Sequence, residues 1–166
     1  MFENTNVYDC SMLNTGIKTF KDGNVFYSMF SNCKYLVKVP ELPATKLANS
    51  CYQYMFNGCT SLTTVPSNLL PATTLGKNCY DHMFSGCTGL TTVPNLPATT
   101  LRAYCYENMF SGCTSLTTIQ SNLLPAKTLI GSCYREMFSG CSSLTTIPYN
   151  LLPATKLAEF CYYFMF

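Results

Sequence analysis

Apolar and polar positions in this chain repeat over a long period. The pair Met-Phe stands at Met1-Phe2, Met29-Phe30, Met55-Phe56, Met83-Phe84, Met109-Phe110, Met137-Phe138 and Met165-Phe166, at spacings of 28, 26, 28, 26, 28 and 28 residues. A period in this range marks a stack of similar supersecondary units. Between the pairs the unit reads Gly-Cys-Thr-Ser-Leu-Thr-Thr-Val/Ile-Pro, then Leu-Pro-Ala-Thr/Lys-Thr-Leu, then Cys-Tyr. The two lengths have one source. Short units pass through Pro40-Glu41-Leu42-Pro43 or Pro94-Asn95-Leu96-Pro97, while long ones insert two residues, as in Pro66-Ser67-Asn68-Leu69-Leu70-Pro71.

The pattern within a unit predicts one short strand and one short helix or helical turn. In Cys59-Thr60-Ser61-Leu62-Thr63-Thr64-Val65-Pro66 a β-branched run stops at a proline, which has no amide hydrogen for a ladder, so a parallel strand is expected to end there. At about 100° per residue, Leu47, Cys51, Tyr52, Met55, Phe56 and Cys59 fall on one half of a helix. Gln53 and Tyr54 fall on the other half, and Gly58 reads as a C-terminal cap. Such a unit cannot bury its apolar face alone, whereas stacked copies form a continuous core. The expected fold is therefore an α/β solenoid with one strand and one helical turn in each coil of 26–28 residues. Residues 29–166 form its tandem array as a single domain. Residues 1–28, where Tyr8-Asp9-Cys10-Ser11-Met12 and Lys21-Asp22-Gly23 break the pattern, are a degenerate first repeat or an N-terminal cap.

Charge is scarce. Asp, Glu, Lys and Arg make up 11% of the 166 residues, and the net charge is +2. No run of Lys or Arg gives an electrostatic footprint for nucleic acid or anionic lipid, and no apolar stretch is long enough to span a bilayer. The N-terminus lacks the charged start and apolar run of a secretory signal. With one His and no Trp, the chain offers little acid-base or metal chemistry, so it reads as a non-enzyme without cofactor or metal.

Eleven Cys form the first suggestive array. Cys51, Cys79, Cys105, Cys133 and Cys161 hold one repeat position, and Cys33, Cys59, Cys87, Cys113 and Cys141 another. One Cys per coil at a fixed place is the pattern of a ladder of reduced, buried thiols. Disulfides between adjacent coils are the alternative. Zinc sites favour short Cys-x2-4-Cys pairs, which are absent. The pairs Thr63-Thr64, Thr91-Thr92, Thr117-Thr118 and Thr145-Thr146 form the second array. Strand propensity accounts for them, although a Thr rank also suits ice or a regular polymer; in a pleated strand only one Thr of each pair can face solvent. His82 has no nucleophile at a diagnostic spacing and reads as a solvated residue.

The succession Cys-x-x-Leu-x-x-Val/Ile, Leu-Pro, a small-residue segment ending in Leu, and Met-Phe-x-x-Cys resembles the BspA-like leucine-rich repeats of bacterial surface proteins, from about Val25 to Phe166. This chain departs from that family in having Met before the Phe and longer Leu-Pro and Cys-Tyr segments. The resemblance implies a right-handed leucine-rich-repeat-like solenoid, displayed on a bacterial cell surface or on a phage that carries the module, and used for adhesion.

Variation among the copies points to where a partner would bind. The pair after Cys-Tyr changes from Gln53-Tyr54 to Asp81-His82, Glu107-Asn108, Arg135-Glu136 and Tyr163-Phe164, and the three residues after Leu change too. These are the expected outward positions, so substitutions at Asp81 or Glu107 should be cheap and those at Phe84 or Leu90 costly. The ligand-binding candidates are Tyr54, Asp81, His82, Arg102, Tyr104, Glu107, Arg135 and Glu136. The partner expected is a protein or glycan on another surface, with no nucleic acid and no membrane insertion. A passive spacer holding another domain is the alternative. The ends of the array call for neighbouring repeats, a capping domain or another subunit, as in a fragment of a longer protein.

Overall fold

The computed structural model describes residues 2–13 and 16–166. Met1 of the first Met-Phe pair, and Asn14 and Thr15 of the expected first repeat, lie outside the described residues. The chain winds as stacked coils in which each residue sits over its counterpart one repeat away. Two columns of rings make this register visible. Phe2, Phe30, Phe56, Phe84, Phe110, Phe138 and Phe166 stack with centroids 5.5–5.9 Å apart. Phe26, Tyr52, Tyr80, Tyr106, Tyr134 and Tyr162 form a parallel column at 5.6–6.0 Å. Leu, Val, Cys and Met from every coil fill the space between, and Phe56, Phe84, Phe110, Met55, Met83 and Leu62 are fully buried.

The expected helix is not formed: among the described residues there is no α-helix. Residues 50–59 instead make a ribbon of consecutive turns. The amides of Tyr52, Tyr54, Phe56 and Gly58 donate to Cys79, Asp81, Met83 and Ser85 carbonyls in the next coil at 3.0, 3.0, 2.9 and 2.8 Å. The amides between them donate three residues back, Met55 to Tyr52 at 3.1 Å, Asn57 to Tyr54 at 3.1 Å and Cys59 to Phe56 at 3.2 Å. From Tyr52 to Cys59 the amides thus alternate, one donating to the next coil and the following one donating within its own coil. This winding needs a positive φ at every fourth residue, seen at Ser50 (55°), Tyr54 (59°) and Gly58 (70°) and again at Asn78, His82 and Gly86. Gly58 is therefore a turn residue within the ribbon. The resulting period is four, with two residues inward and two outward. Cys51-Tyr52 and Met55-Phe56 are buried, while Gln53-Tyr54 and Asn57-Gly58 are half-exposed.

The expected strand is also replaced. Over residues 59–65 the period is three: Cys59, Leu62 and Val65 are buried, and Thr60, Thr63 and Thr64 are exposed. A turn closes the first step, with the Leu62 amide 3.1 Å from the Cys59 carbonyl. Both Thr of every pair face solvent, because a winding near 120° per residue, unlike a two-residue pleat, presents two residues out of three on the outside. Parallel pairing occurs elsewhere, as isolated bridges: Thr19 with Lys46, Lys46 with Thr74, Thr128 with Lys156, and Asp9 with Lys38. The two-residue insertion in long units adds a turn, Leu69 amide to Pro66 carbonyl at 3.1 Å, that seats a second buried leucine beside Leu70. Residues 2–13 and 16–23 lie on the same stack, with Phe20 packed edge-on against Phe26 and Tyr52.

All eleven cysteines are free thiols, ten of them buried. In one ladder each Sγ donates to the phenylalanine carbonyl of the preceding coil: Cys59 to Phe30 at 3.2 Å, Cys87 to Phe56 at 3.1 Å, Cys113 to Phe84 at 3.2 Å and Cys141 to Phe110 at 3.2 Å. The residue fits because it is small and apolar, and its weak donor finds a carbonyl lone pair.

Truncating Phe84, with a ring above and a ring below, should cost about 3–5 kcal/mol through the cavity it leaves, measured by denaturant unfolding. The thiols make a second expectation. Burial pushes those of Cys51, Cys133 and Cys141 up from the ordinary 9.0 to about 11. A raised thiol pKa in the folded state means that folding favours the protonated form, so this stability is complete below pH 9 and is lost as pH rises through about 11. Thiol titration at neutral pH should find almost no reactive group until the chain is denatured, and the unfolding midpoint should fall between pH 9 and 11.

Candidate functional site

The turn ribbon positions most of the varying side chains. Because its inward pairs are fixed by the two ring columns, the outward pairs line up from coil to coil as two rows. One runs Gln53, Asp81, Glu107, Arg135, Tyr163 and the other Tyr54, His82, Asn108, Glu136, Phe164. The second row carries the positive φ angles of Tyr54 (59°), His82 (54°), Asn108 (51°), Glu136 (52°) and Phe164 (47°). L-residues other than Gly and Asn pay about 1 kcal/mol for this conformation. Tyr104 is held the same way at 60°.

Six of the eight candidates form one connected strip. The Tyr54 ring stacks on His82 with centroids 4.6 Å apart, and Tyr27 meets Tyr54 edge-on at 5.7 Å. His82 Nδ1 contacts Asp81 Oδ1. Glu107 Oε1 lies 3.4 Å from Arg135 Nη1, Glu136 Oε1 lies 3.1 Å from Arg135 Nε, and the guanidinium stands 5.5 Å from the Tyr163 ring centre. Burial, reinforced by the Asp81 carboxylate, raises the Glu107 carboxyl above its ordinary pKa against the opposing pull of Arg135. Arg102 and Tyr104 stand apart from the strip, both exposed, Arg102 on the segment that leads into the ribbon and Tyr104 at the ribbon's first position.

Asp81 does not hold the outward position expected of it. It is 4% exposed, because Gln53 Nε2 (2.7 Å) and Asn78 Nδ2 (3.3 Å) both bind Oδ2 while His82 covers Oδ1. Its carboxylate organises neighbouring side chains. His82, expected to be simply solvated, is held between Asp81 and the Tyr54 ring. Gln53 was missed as a member of the strip; its place one repeat from Asp81 was the available signal. Among the described residues no group of three or more His, Cys, Asp and Glu is placed to hold a metal ion.

Six copies of the BspA type leucine rich repeat region match residues 28–164. The chain belongs to the BspA-type leucine-rich repeat family. No curated protein and no solved structure matches the chain. Membership accounts for the solenoid of this BspA-type array, whose coils here are built from turns and isolated bridges. Among the described residues no helix is long and apolar enough to cross a membrane.

Two substitutions test the construction of the strip and of the neighbouring ribbon backbone. Asp81→Ala should destabilise by about 1–2 kcal/mol, since it strands three polar partners, against about 0.5 kcal/mol or less for exposed Thr117→Ala. Tyr104→Asn should stabilise by about 0.5–1 kcal/mol, because Asn tolerates the φ of 60° that Tyr104 adopts at a cost. Urea unfolding of the two variants decides both.

Proposed function

We propose that this BspA-type array is a non-enzymatic adhesion module, displayed on a bacterial surface or a phage particle, that recognises a protein or glycan through the exposed varying positions of its coils. One observation carries the reading. A core repeated almost without change supports, in fixed register, side chains that differ at each step, including the Tyr54–His82 stack and the Glu107–Arg135–Glu136 cluster. Four of the candidates, Tyr54, His82 and Glu136 in these rows and Tyr104 at the start of its ribbon, keep left-handed backbone conformations that Gly or Asn would adopt more cheaply. Residues retained against such a local cost are often functional. Aromatic and Arg side chains, which most often become hot spots, are well represented among them.

The exposure of both Thr in each pair favours a second reading, in which a periodic ligand such as a glycan lattice or ice engages Thr63, Thr64, Thr91, Thr92, Thr117 and Thr118. Two multi-site variants separate the readings. One replaces Tyr54, His82, Tyr104, Glu107, Arg135 and Glu136 by Ala, leaving buried Asp81 intact; the other replaces the Thr pairs by Val. Screened against immobilised glycans and surface proteins, the first variant should lose binding by about tenfold or more, and the second should keep it. Loss in the Thr variant alone would move the binding face to the Thr edge.

A further inference from the structure

Folding gathers basic residues that are scattered along the chain. The segment that precedes the turn ribbon occupies residues 18–22, 45–49, 73–77, 99–103, 127–131 and 155–159 in successive coils. Its register is set by the Thr19–Lys46, Lys46–Thr74 and Thr128–Lys156 bridges and by bonds such as Thr45 amide to Lys18 carbonyl (3.0 Å) and Thr155 amide to Lys127 carbonyl (3.0 Å). Each of six consecutive coils places at least one cation there: Lys21, Lys46, Lys77, Arg102, Lys127 and Lys156, with Lys18 beside the first. That is seven of the ten Lys and Arg in the protein. The same segments hold only two carboxylates, Asp22 and Glu159, both in the outermost coils, so the four central coils carry none. All seven cations are exposed. None joins the ion pairs seen among the described residues, which involve Lys38, His82 and Arg135. Lys21, Lys77 and Arg102 also line one open cavity of about 600 Å3, whose floor is Gly76; a Cβ there would lie 2.3 Å from the Ala48 backbone.

We infer that this stripe is a binding surface for a linear acidic polysaccharide, with carboxylate or sulfate groups laid along successive coils. The inference rests on the reading above that the array recognises a partner, and it gives acidic glycans a second face, of which only Arg102 belongs to the eight candidates. Coils repeat at no more than the 5.5–6.0 Å between stacked rings, and the cations flank the apolar residue of each segment in two rows, Lys46, Lys127 and Lys156 before it and Lys21, Lys77 and Arg102 after it. One cation per coil suits a polymer with about one charge per sugar. It is too sparse for duplex DNA, which presents one charge per about 1.7 Å of axis. The asparagines Asn24 and Asn49 in the cavity wall supply neutral hydrogen-bonding groups for sugar hydroxyls.

The test uses the whole chain, with immobilised heparin as the sulfated probe, polygalacturonate as the carboxylated one, neutral dextran, and single-stranded oligothymidylate. The variants are K46Q/K77Q/R102Q/K127Q for the stripe, K34Q/K38Q as a charge control elsewhere, and Y54A/H82A/Y104A for the ribbon; thermal unfolding verifies each fold. The wild type and the control should bind heparin or polygalacturonate in a salt-sensitive way, with the stripe variant weaker by about tenfold. Equal binding by the stripe variant, no binding of either acidic glycan by the wild type, or tighter binding of the oligonucleotide overturns the assignment. If dextran is bound and lost only in the ribbon variant, the recognition reading stands while the acidic-glycan stripe falls.

Discussion

The register between coils is the constraint on which the rest of this structure depends. A residue in one coil must sit over its counterpart 26 or 28 positions later, and the two ring columns with the alternating amide ladder enforce it. The rings alone do not fix direction along the chain, since stacked aromatics can slide. The ladder does, because its donors are every second residue of the ribbon and a slip of one residue would turn buried Met-Phe pairs outward. The length difference between units is tolerated for the same reason. It is taken up in the proline loop, away from the ladder, where an added turn buries one more leucine.

This constraint explains why a helix lost to a turn ribbon. A helix closes its own hydrogen bonds and leaves only side chains to hold neighbouring coils, and at about ten residues it is marginal without packing. The ribbon directs about half its amides between coils and pairs most of the remainder locally. Periods of 3.6 and 4 nearly coincide over the nine residues from Cys51 to Cys59, so the inward set of Cys51, Tyr52, Met55, Phe56 and Cys59 was legible in the sequence while its backbone was not. The distinguishing sign was the recurrence of Ser50, Gly58, Asn78, Gly86, Gly112, Ser132 and Gly140 at fourfold steps, since Gly and Asn accept the left-handed region most readily. Tyr54, His82 and Tyr104 in the same register obscured it.

The candidate site was legible to a different degree. Comparing copies picked out the varying rows, most of whose members the structure leaves half-exposed, because outward positions drift when the core is fixed. It could not reveal that Asp81 is drawn inward, since that depends on Gln53 in the coil before it and Asn78 three residues back supplying amide donors together. Nor could a linear scan for Lys and Arg runs find the basic stripe, whose members lie 25 to 31 residues apart from Lys46 onward and meet only through the coil register.

Charge and strain therefore divide the molecule by function of position. Carboxylates Asp81, Glu107 and Glu136 cluster on the ribbon, where Arg135 and His82 answer them, and the cations of the preceding segment remain unanswered. Mixed surface charge would serve solubility equally well without coil-to-coil repulsion along the stripe. Repulsion between cations repeated every coil is a standing cost of the fold, small at physiological salt, and an acidic polymer laid across them would remove it. The same register that lets rings stack thus turns lysines isolated in the sequence into an array on the folded chain.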